Sequence, residues 1–393
     1  MTMIRMADLD LKNQRVLIRE DLNVPIKNQV ISNDVRIQAA LPTIKTAIDA
    51  GACVMIMSHL GRPEEGIFDQ EHSLAPVAKR LGELLDRDVP LIQDWMYGID
   101  IKPGEVVLCE NVRFNIGEKA NTPELAKQLA SLCDIFVMDA FATSHRSEAS
   151  TEGVIHYAPT ACAGPLLVRE ISSLKKGLEN PKTPVVAIVG GAKVSTKLKA
   201  LNSLSQKVDT LIVGGGMANT FLAARGYEVG TSLHEEDLID EADRLLSENT
   251  RADIPLPADV IVAETFSADA ESYDKDIAQV DSDEKILDIG PKTARLYRKI
   301  INKANTILWN GPLGAFEIEQ FSHGTAAIAQ AIADSDAFSI AGGGDTIAAI
   351  DQLAIRDKIS YISTGGGAFL TLLEGKELPA ISALEQHAKA KIL

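Results

Sequence analysis

Short runs of β-branched and other apolar residues recur at Val16–Ile18, Cys53–Met57, Val106–Leu108, Ile135–Met138, Val185–Val189, Thr210–Val213, Ile307–Trp309 and Phe338–Ala341. Runs this short, without polar alternation, predict strands buried on both faces. Segments of helical period lie between them. With Asn33 or Asp34 as the cap, for example, Ile37, Leu41, Ile44 and Ile48 fall on one helix face. Strand and helix alternating throughout predicts an α/β architecture: parallel sheets flanked by helices, with ligands met at the carboxyl ends of the strands. Chemistry should therefore sit in the strand-to-helix turns.

Those turns differ between the halves of the chain. Up to Glu170 they hold Asp21, Asn23, His59, Arg62, Arg113, His145 and Arg146; beyond it they hold Gly190-Gly191, Gly214-Gly215-Gly216, Gly342-Gly343-Gly344 and Gly365-Gly366-Gly367. One lobe reads as cationic, the other as a cradle. The divide falls on a helix from about Leu167 to Leu178, ended by Asn180-Pro181, since proline disfavours helix at the residue before it. A chain of 393 residues also exceeds the roughly 250 to 300 at which one core stops growing.

Composition narrows the function classes. With 46% hydrophobic and 24% charged residues the chain is globular, not disordered. A net charge of −16 argues against nucleic acid or an anionic membrane as partner, so any anion site must be local. The four cysteines, Cys53, Cys109, Cys133 and Cys162, lack the close paired spacing of zinc or redox motifs, which fits reduced thiols and a cytoplasmic location. Asp8 and Asp10 stand where a signal peptide needs an apolar run, and no segment approaches the ~20 apolar residues of a membrane span.

In the first lobe Arg36, Arg62, Arg113 and Arg146 each follow a predicted strand or open a helix, so parallel topology can converge them on one cleft. Guanidinium forks bind phosphate and carboxylate oxygens bidentately. Surface arginines in unrelated ion pairs are the plainer alternative. Their company tells against it: Ser58-His59-Leu60-Gly61-Arg62-Pro63 and Asp139 to Arg146 place clusters of polar groups directly after strands. Asp21 and Asn23 offer an acceptor and an amide to ligand hydroxyls, or else serve as turn chemistry. His59 and His145 are given no general-base work.

In the second lobe, Val189 to Lys197 reads as strand, glycine turn and helix start carrying Lys193 and Lys197, groups suited to phosphate. Neither the Walker A spacing nor a G-x-G-x-x-G fingerprint is present. Gly343-Gly344-Asp345-Thr346 opens a helix with a carboxylate beside free amides, suited to magnesium on nucleotide phosphates or to a simple cap. Gly365-Gly366-Gly367-Ala368 opens another.

Taken together, the segments Val16 to Pro25, Ser58 to Pro63, Glu110 to Phe114, Asp139 to Thr151, Gly190 to Leu198, Gly214 to Phe221, Leu287 to Pro291, Trp309 to Glu317, Gly342 to Thr346 and Ser363 to Phe369 resemble the phosphoglycerate kinase family over essentially the whole chain. The resemblance implies two Rossmann-like lobes joined by a hinge helix: an acid-binding domain over 1–169, a hinge over 170–183, a nucleotide domain over 184–372, and a final segment, 373–393, returning to the first lobe. It implies transfer of the acyl phosphate of 1,3-bisphosphoglycerate to ADP, giving 3-phosphoglycerate and ATP, with Mg2+ as cofactor and hinge-bending in a monomer. Asp21, Asn23, His59, Arg62, Arg113 and Arg146 would hold the acid. Arg36 would approach the reacting carboxylate and work with Lys197 and the helix starts at Gly343 and Gly366. The nucleotide would meet Lys193 and Lys197 at its phosphates, Gly191, Gly214, Gly215, Leu287 and Pro312 at the adenine, and Asn310, Glu317, Gly343, Gly344 and Thr346 elsewhere, with Asp345 on the metal. Leu22, Ala142, Ser144 and Glu20 depart from the family pattern. The alternatives are a dinucleotide-dependent dehydrogenase and a non-catalytic binding protein on the same fold.

Overall fold

The computed structural model describes residues 3–247 and 250–392, and the chain divides into two compact units, Met1–Ser172 with Glu377–Leu393, and Ser173–Lys376. Along unit 1 run β1 (Arg15–Arg19), β2 (Ile26–Lys27), β3 (Val30–Ile31), α1 (Val35–Asp49), β4 (Cys53–Met57), α2 (Ala75–Leu85), β5 (Leu91–Ile92), β6 (Val106–Cys109), α3 (Pro123–Ala130), β7 (Ile135–Met138), β8 (Thr160–Ala163) and α4 (Pro165–Leu178), which continues into unit 2. Among the described residues these strands form a parallel six-stranded sheet, β5-β6-β4-β1-β7-β8, with β2 and β3 a separate hairpin. Helices cover the sheet, and so β4, β6 and β7 are buried at every position.

The α1 face foreseen from the sequence packs on this sheet through Ile37, Ile44 and Ile48, with Leu41 at its margin. Each such side chain contributes about 1.5–3 kcal/mol on burial. Of the two candidate caps, Asn33 Oδ1 accepts from Val35 N at 3.0 Å, while Asp34 turns its carboxylate to Arg80 and Gln38.

Unit 2 contains β9 (Val185–Gly190), α5 (Leu198–Ser205), β10 (Thr210–Gly214), α6 (Gly216–Ala224), α7 (Ile239–Ser247), β11 (Asp259–Ala263), β12 (Tyr273–Asp276), β13 (Lys285–Ile289), α8 (Pro291–Ile301), β14 (Thr306–Asn310), α9 (His323–Ala333), β15 (Phe338–Ala341), α10 (Gly344–Gln352), β16 (Tyr361–Ile362) and α11 (Gly366–Leu373). Among the described residues a five-stranded parallel sheet runs β10-β9-β14-β15-β16. A second sheet, β12-β11-β13, is antiparallel. It is an addition to the parallel architecture expected from the sequence. Tyr273–Asp276 alternates charge with little apolar content and Lys285–Ile289 carries Asp288 inside it, so neither reads as a buried run. After unit 2, α12 (Pro379–Ile392) packs on β8, where His387 Nε2 accepts from Ala161 N at 3.0 Å.

Candidate active site

In unit 1 the carboxyl ends of neighbouring strands β6, β4, β1 and β7 open into the segments that hold Arg113, His59, Asp21 with Asn23, and Arg146. Hydrogen bonds knit these loops together. Asn23 Oδ1 accepts from Gly61 N at 3.0 Å, and Arg113 Nη1 donates to the Gly61 carbonyl at 2.6 Å. Arg36, on the first turn of α1, donates through Nη1 to the Asn23 carbonyl at 2.9 Å and pairs with Asp21 Oδ2 at 3.0 Å. Arg113 also reaches Glu148 Oε1 at 3.1 Å, with Arg146 Nη1 3.9 Å from the same oxygen. Arg62 is exposed, yet its charge bears on Arg146.

This cluster holds more donors than acceptors. Arg113 Nε, Arg146 Nη1 and His145 Nδ1 are buried without a hydrogen-bond partner, and among the acceptors of the cluster so is Glu148 Oε2. Burial and the neighbouring charges of Arg19, Arg113, Arg146 and Arg36 push His59 well below its ordinary range, so its ring is neutral. Buried polar groups are normally satisfied, and unpaired guanidinium N–H groups suit an anion. The sequence reading missed Arg19, the last residue of β1, and Glu118 and Glu148 behind it. An arginine closing an otherwise apolar strand was the available signal.

Unit 2 assembles its site from glycine turns and helix starts. Gly215, with φ +67°, lets the β10 turn pass so close to the β9 turn that a Cβ there would lie 2.7 Å from the Gly191 carbonyl oxygen. Gly191, Gly215, Leu287, Pro312 and Glu317 line one cavity of about 520 Å³, with Asp345 at its edge. Its walls are the apolar ones that suit a heterocycle. Gly214 lies beneath Leu313, away from that wall.

The starts of α10 and α11 meet beside it, since a Cβ on Gly366 would lie 3.3 Å from Gly343 Cα. Lys197 Nζ donates to the Gly190 carbonyl at 2.7 Å and the Asn310 carbonyl at 3.0 Å, and burial holds its pKa down to about 8. Asn310 Nδ2 donates to the Gly342 carbonyl at 2.8 Å while its Oδ1 is buried without a partner. Thr346 Oγ1 accepts from Gly311 N at 2.7 Å, so its hydroxyl holds the β14 turn. Gly344 and Asp345 are exposed on the first turn of α10, and Lys193 is exposed ahead of Lys197. Free helix amides, two lysines and a carboxylate on one rim suit a phosphate chain.

The family model described as Phosphoglycerate kinase matches residues 6–376. Curated relatives from Legionella pneumophila strains Corby and Paris, both named Phosphoglycerate kinase, are each 59% identical over 391 residues, 99% of either chain. The solved structure of phosphoglycerate kinase from Coxiella burnetii is similar with TM-score 0.95 at 57% identity, covering 98% of this chain and 100% of that one. Phosphoglycerate kinase from Pyrococcus horikoshii OT3 gives 0.83 at 36%, over 99% and 100%. An arginine cluster in one unit and a glycine-rich rim of helix starts in the other thus accompany full-length likeness, and the chain belongs to the phosphoglycerate kinase family.

Proposed function

We propose that the chain transfers the acyl phosphate of 1,3-bisphosphoglycerate to ADP, and runs the reverse reaction, with the acid held in unit 1 and the nucleotide in unit 2. The observation that carries this reading is the pair of buried, unpartnered guanidinium donors Arg113 Nε and Arg146 Nη1, which an anionic ligand would complete. Asp21 and Asn23 take the acid's hydroxyl, His59, Arg62, Arg113 and Arg146 its charged ends. Arg36 keeps donors free beyond its contacts to Asp21 and Asn23, so it can follow the phosphoryl group as it moves.

A carboxylate is already nucleophilic, so the chain needs to supply no base and forms no covalent intermediate. Its work is in-line positioning and charge neutralisation by Arg36, Lys197 and the helix starts at Gly343 and Gly366. Asp345 would hold magnesium as one protein carboxylate beside nucleotide phosphate oxygens and waters, the way that metal is usually held with nucleotides. Magnesium, when bound, neutralises the phosphate chain. Gly191, Gly215, Leu287 and Pro312 shape the adenine slot, and Glu317 reaches toward the ribose.

Because the ligands belong to different units, transfer requires them to be brought into line with water excluded, and bending at 170–183 within and after α4 is the motion we assign. A monomer in the cytoplasm is the setting we assign, in keeping with cysteines that are all free and buried among the described residues. Neither a dehydrogenase nor a silent binding protein is favoured by full-length kinase relatives. Steady-state turnover of 3-phosphoglycerate with MgATP tests the reading. No ADP formation, or a change in nicotinamide absorbance in its place, would sink it.

A further inference from the structure

Arg19 has no part in the ligand scheme above, yet it lies fully buried beneath it at the end of β1. Its Nε donates to Ser150 Oγ at 3.0 Å, its Nη1 to the Glu20 carbonyl at 2.5 Å, and its Nη2 stands 3.3 Å from His59 Nδ1. Ser150 Oγ in turn donates to Glu118 Oε1 at 2.5 Å, so the guanidinium is fixed from behind. Guanidinium carries donors and no acceptor, and it keeps its charge inside proteins. The contact with Nδ1 therefore has one chemical reading. Nδ1 presents its lone pair, and the single ring hydrogen sits on Nε2, which has no protein hydrogen-bond partner among the described residues.

We propose that Arg19 is a positioning residue that locks His59 as the Nε2–H tautomer, so that the ring offers the acid ligand an uncharged donor. The inference rests on the proposed place of His59 in the acid site and deepens it. A proton on Nδ1 would set two donors face to face at 3.3 Å in a buried space, and a second ring proton would add a second positive charge beside Arg19. Burial of the ring reinforces this most, and the cationic groups around it, Arg19 from β1, Arg113 after β6, Arg146 after β7 and Arg36 on α1, add to its effect. The acids nearby, Glu118, Glu148 and Asp21, bear on Arg19. The arginines thus supply the charge that attracts the acid, while His59 supplies direction only.

The test reads the ring itself. Nitrogen-15 spectra of the histidines in the full-length protein should show His59 as Nε2–H, unchanged from about pH 8 to about pH 5.5, where a free histidine would titrate. Addition of 3-phosphoglycerate should shift the Nε2 resonance and leave the tautomer as it was. Arg19→Met frees the ring to take a second proton, and Arg19→Met with Glu118→Gln does so without leaving a buried carboxylate unpaired. In either variant the KM for 3-phosphoglycerate, relative to wild type at the same pH, should fall about tenfold from pH 8 to pH 6, while the ratio for MgATP stays flat. Arg19→Lys, which restores a cationic donor, should restore the flat profile. A wild-type ring that titrates in this range, or shows the Nδ1–H form, overturns the inference. So does a variant KM ratio that ignores pH. A locked ring that 3-phosphoglycerate does not move overturns the ligand half of it, and loss of turnover in wild type would strike the proposed reaction separately.

Discussion

Glu20 and Asp139 bring their carboxyl groups close where β1 and β7 end side by side, both sealed from solvent, and each bears on the ionisation of the other. Two carboxylates in such a place cannot both ionise. Asp139 already accepts from Thr43 Oγ1 at 2.5 Å and from Leu167 N at 2.8 Å, whereas Glu20 Oε1 has no partner. The proton therefore belongs to Glu20, whose pKa burial and Asp139 push far up. Through this pair the strand that delivers Asp21 is tied to the loop that delivers Arg146 and to the first turn of α4.

A carboxyl group that stays protonated when folded and ionises when unfolded supports the fold fully below its unfolded pKa of about 4.5 and loses that support as pH rises toward its folded value. Glu20→Gln keeps the donor to Asp139 and removes the proton equilibrium. The variant should match wild type near pH 5 and exceed it by ~1–3 kcal/mol at pH 8. Trp95 lies in unit 1 and Trp309 in β14, so denaturant unfolding followed by fluorescence in a Trp309→Phe background reads the right unit. A gap that does not grow with pH would mean that Glu20 is ionised in the fold.

Arg36 is half-buried and spends Nη1 on Asp21 and the Asn23 carbonyl, which aims the rest of the fork without occupying it. Lysine can replace the charge but not the planar pair of donors. Arg36→Lys should keep the affinity for 3-phosphoglycerate within a few-fold and lower turnover by ~10² or more. Binding by calorimetry and turnover by coupled assay separate the two, and unchanged turnover would remove Arg36 from the chemistry.

If the acid and the nucleotide must be brought together by bending at 170–183, each alone should do little. X-ray scattering should show a smaller radius of gyration with both ligands than with either one. Identical profiles in all ligand states would leave the transfer without the closure assigned to it.

Much of the fold was legible because the parallel strands are buried on both faces: Val16–Ile18, Cys53–Met57 and Val185–Val189 are apolar at each position, and each lies inside an observed strand. Strand β8 (Thr160–Ala163) is small-residued and β13 is interrupted by Asp288, so neither carried that signature. Asp288 itself is buried, accepting from Gly324 N at 2.6 Å at the start of α9, a contact with no local trace. In the arginine cluster of unit 1 the loop residues stand out in sequence by their chemistry, whether buried as His59 and Arg113 are or exposed as Arg62 is. Arg19 could not, because its partners His59 and Ser150 lie 40 and 131 residues away in sequence. Glu20 departs from the family pattern, but the residue that makes sense of it, Asp139, directly follows β7, which only the folded sheet places alongside β1.

Asp345 sits exposed at the first turn of α10, beside the glycine-rich rim and distant in sequence from every residue of the arginine cluster. Asp345→Asn keeps the size of the side chain and removes the charge magnesium requires. The variant should bind MgADP and MgATP at least tenfold more weakly and 3-phosphoglycerate as wild type does. Equal losses for both ligands in calorimetry would count against placing them in separate units.

The Lys197 ammonium donates to the Gly190 and Asn310 carbonyls, no carboxylate among the described residues accepts from it, and burial outweighs the pull of Asp345, leaving the pKa at about 8 against an ordinary 10.5. A lysine with a depressed pKa loses its charge as pH rises through that value, and a phosphate chain needs the charged form. Affinity for MgATP should therefore hold below about pH 8 and fall above it, approaching tenfold per pH unit. Lys197→Arg keeps a cation at every accessible pH. It should bind more weakly than wild type at pH 7, because a guanidinium does not fit between two carbonyls shaped for an ammonium, yet show no slope above pH 8. Calorimetric titration at about pH 7, 8 and 9 compares the two directly. If wild type is flat across that range, or if the arginine variant falls in parallel with it, then the charge on Lys197 does not govern nucleotide binding and the phosphate rim works through its helix amides alone.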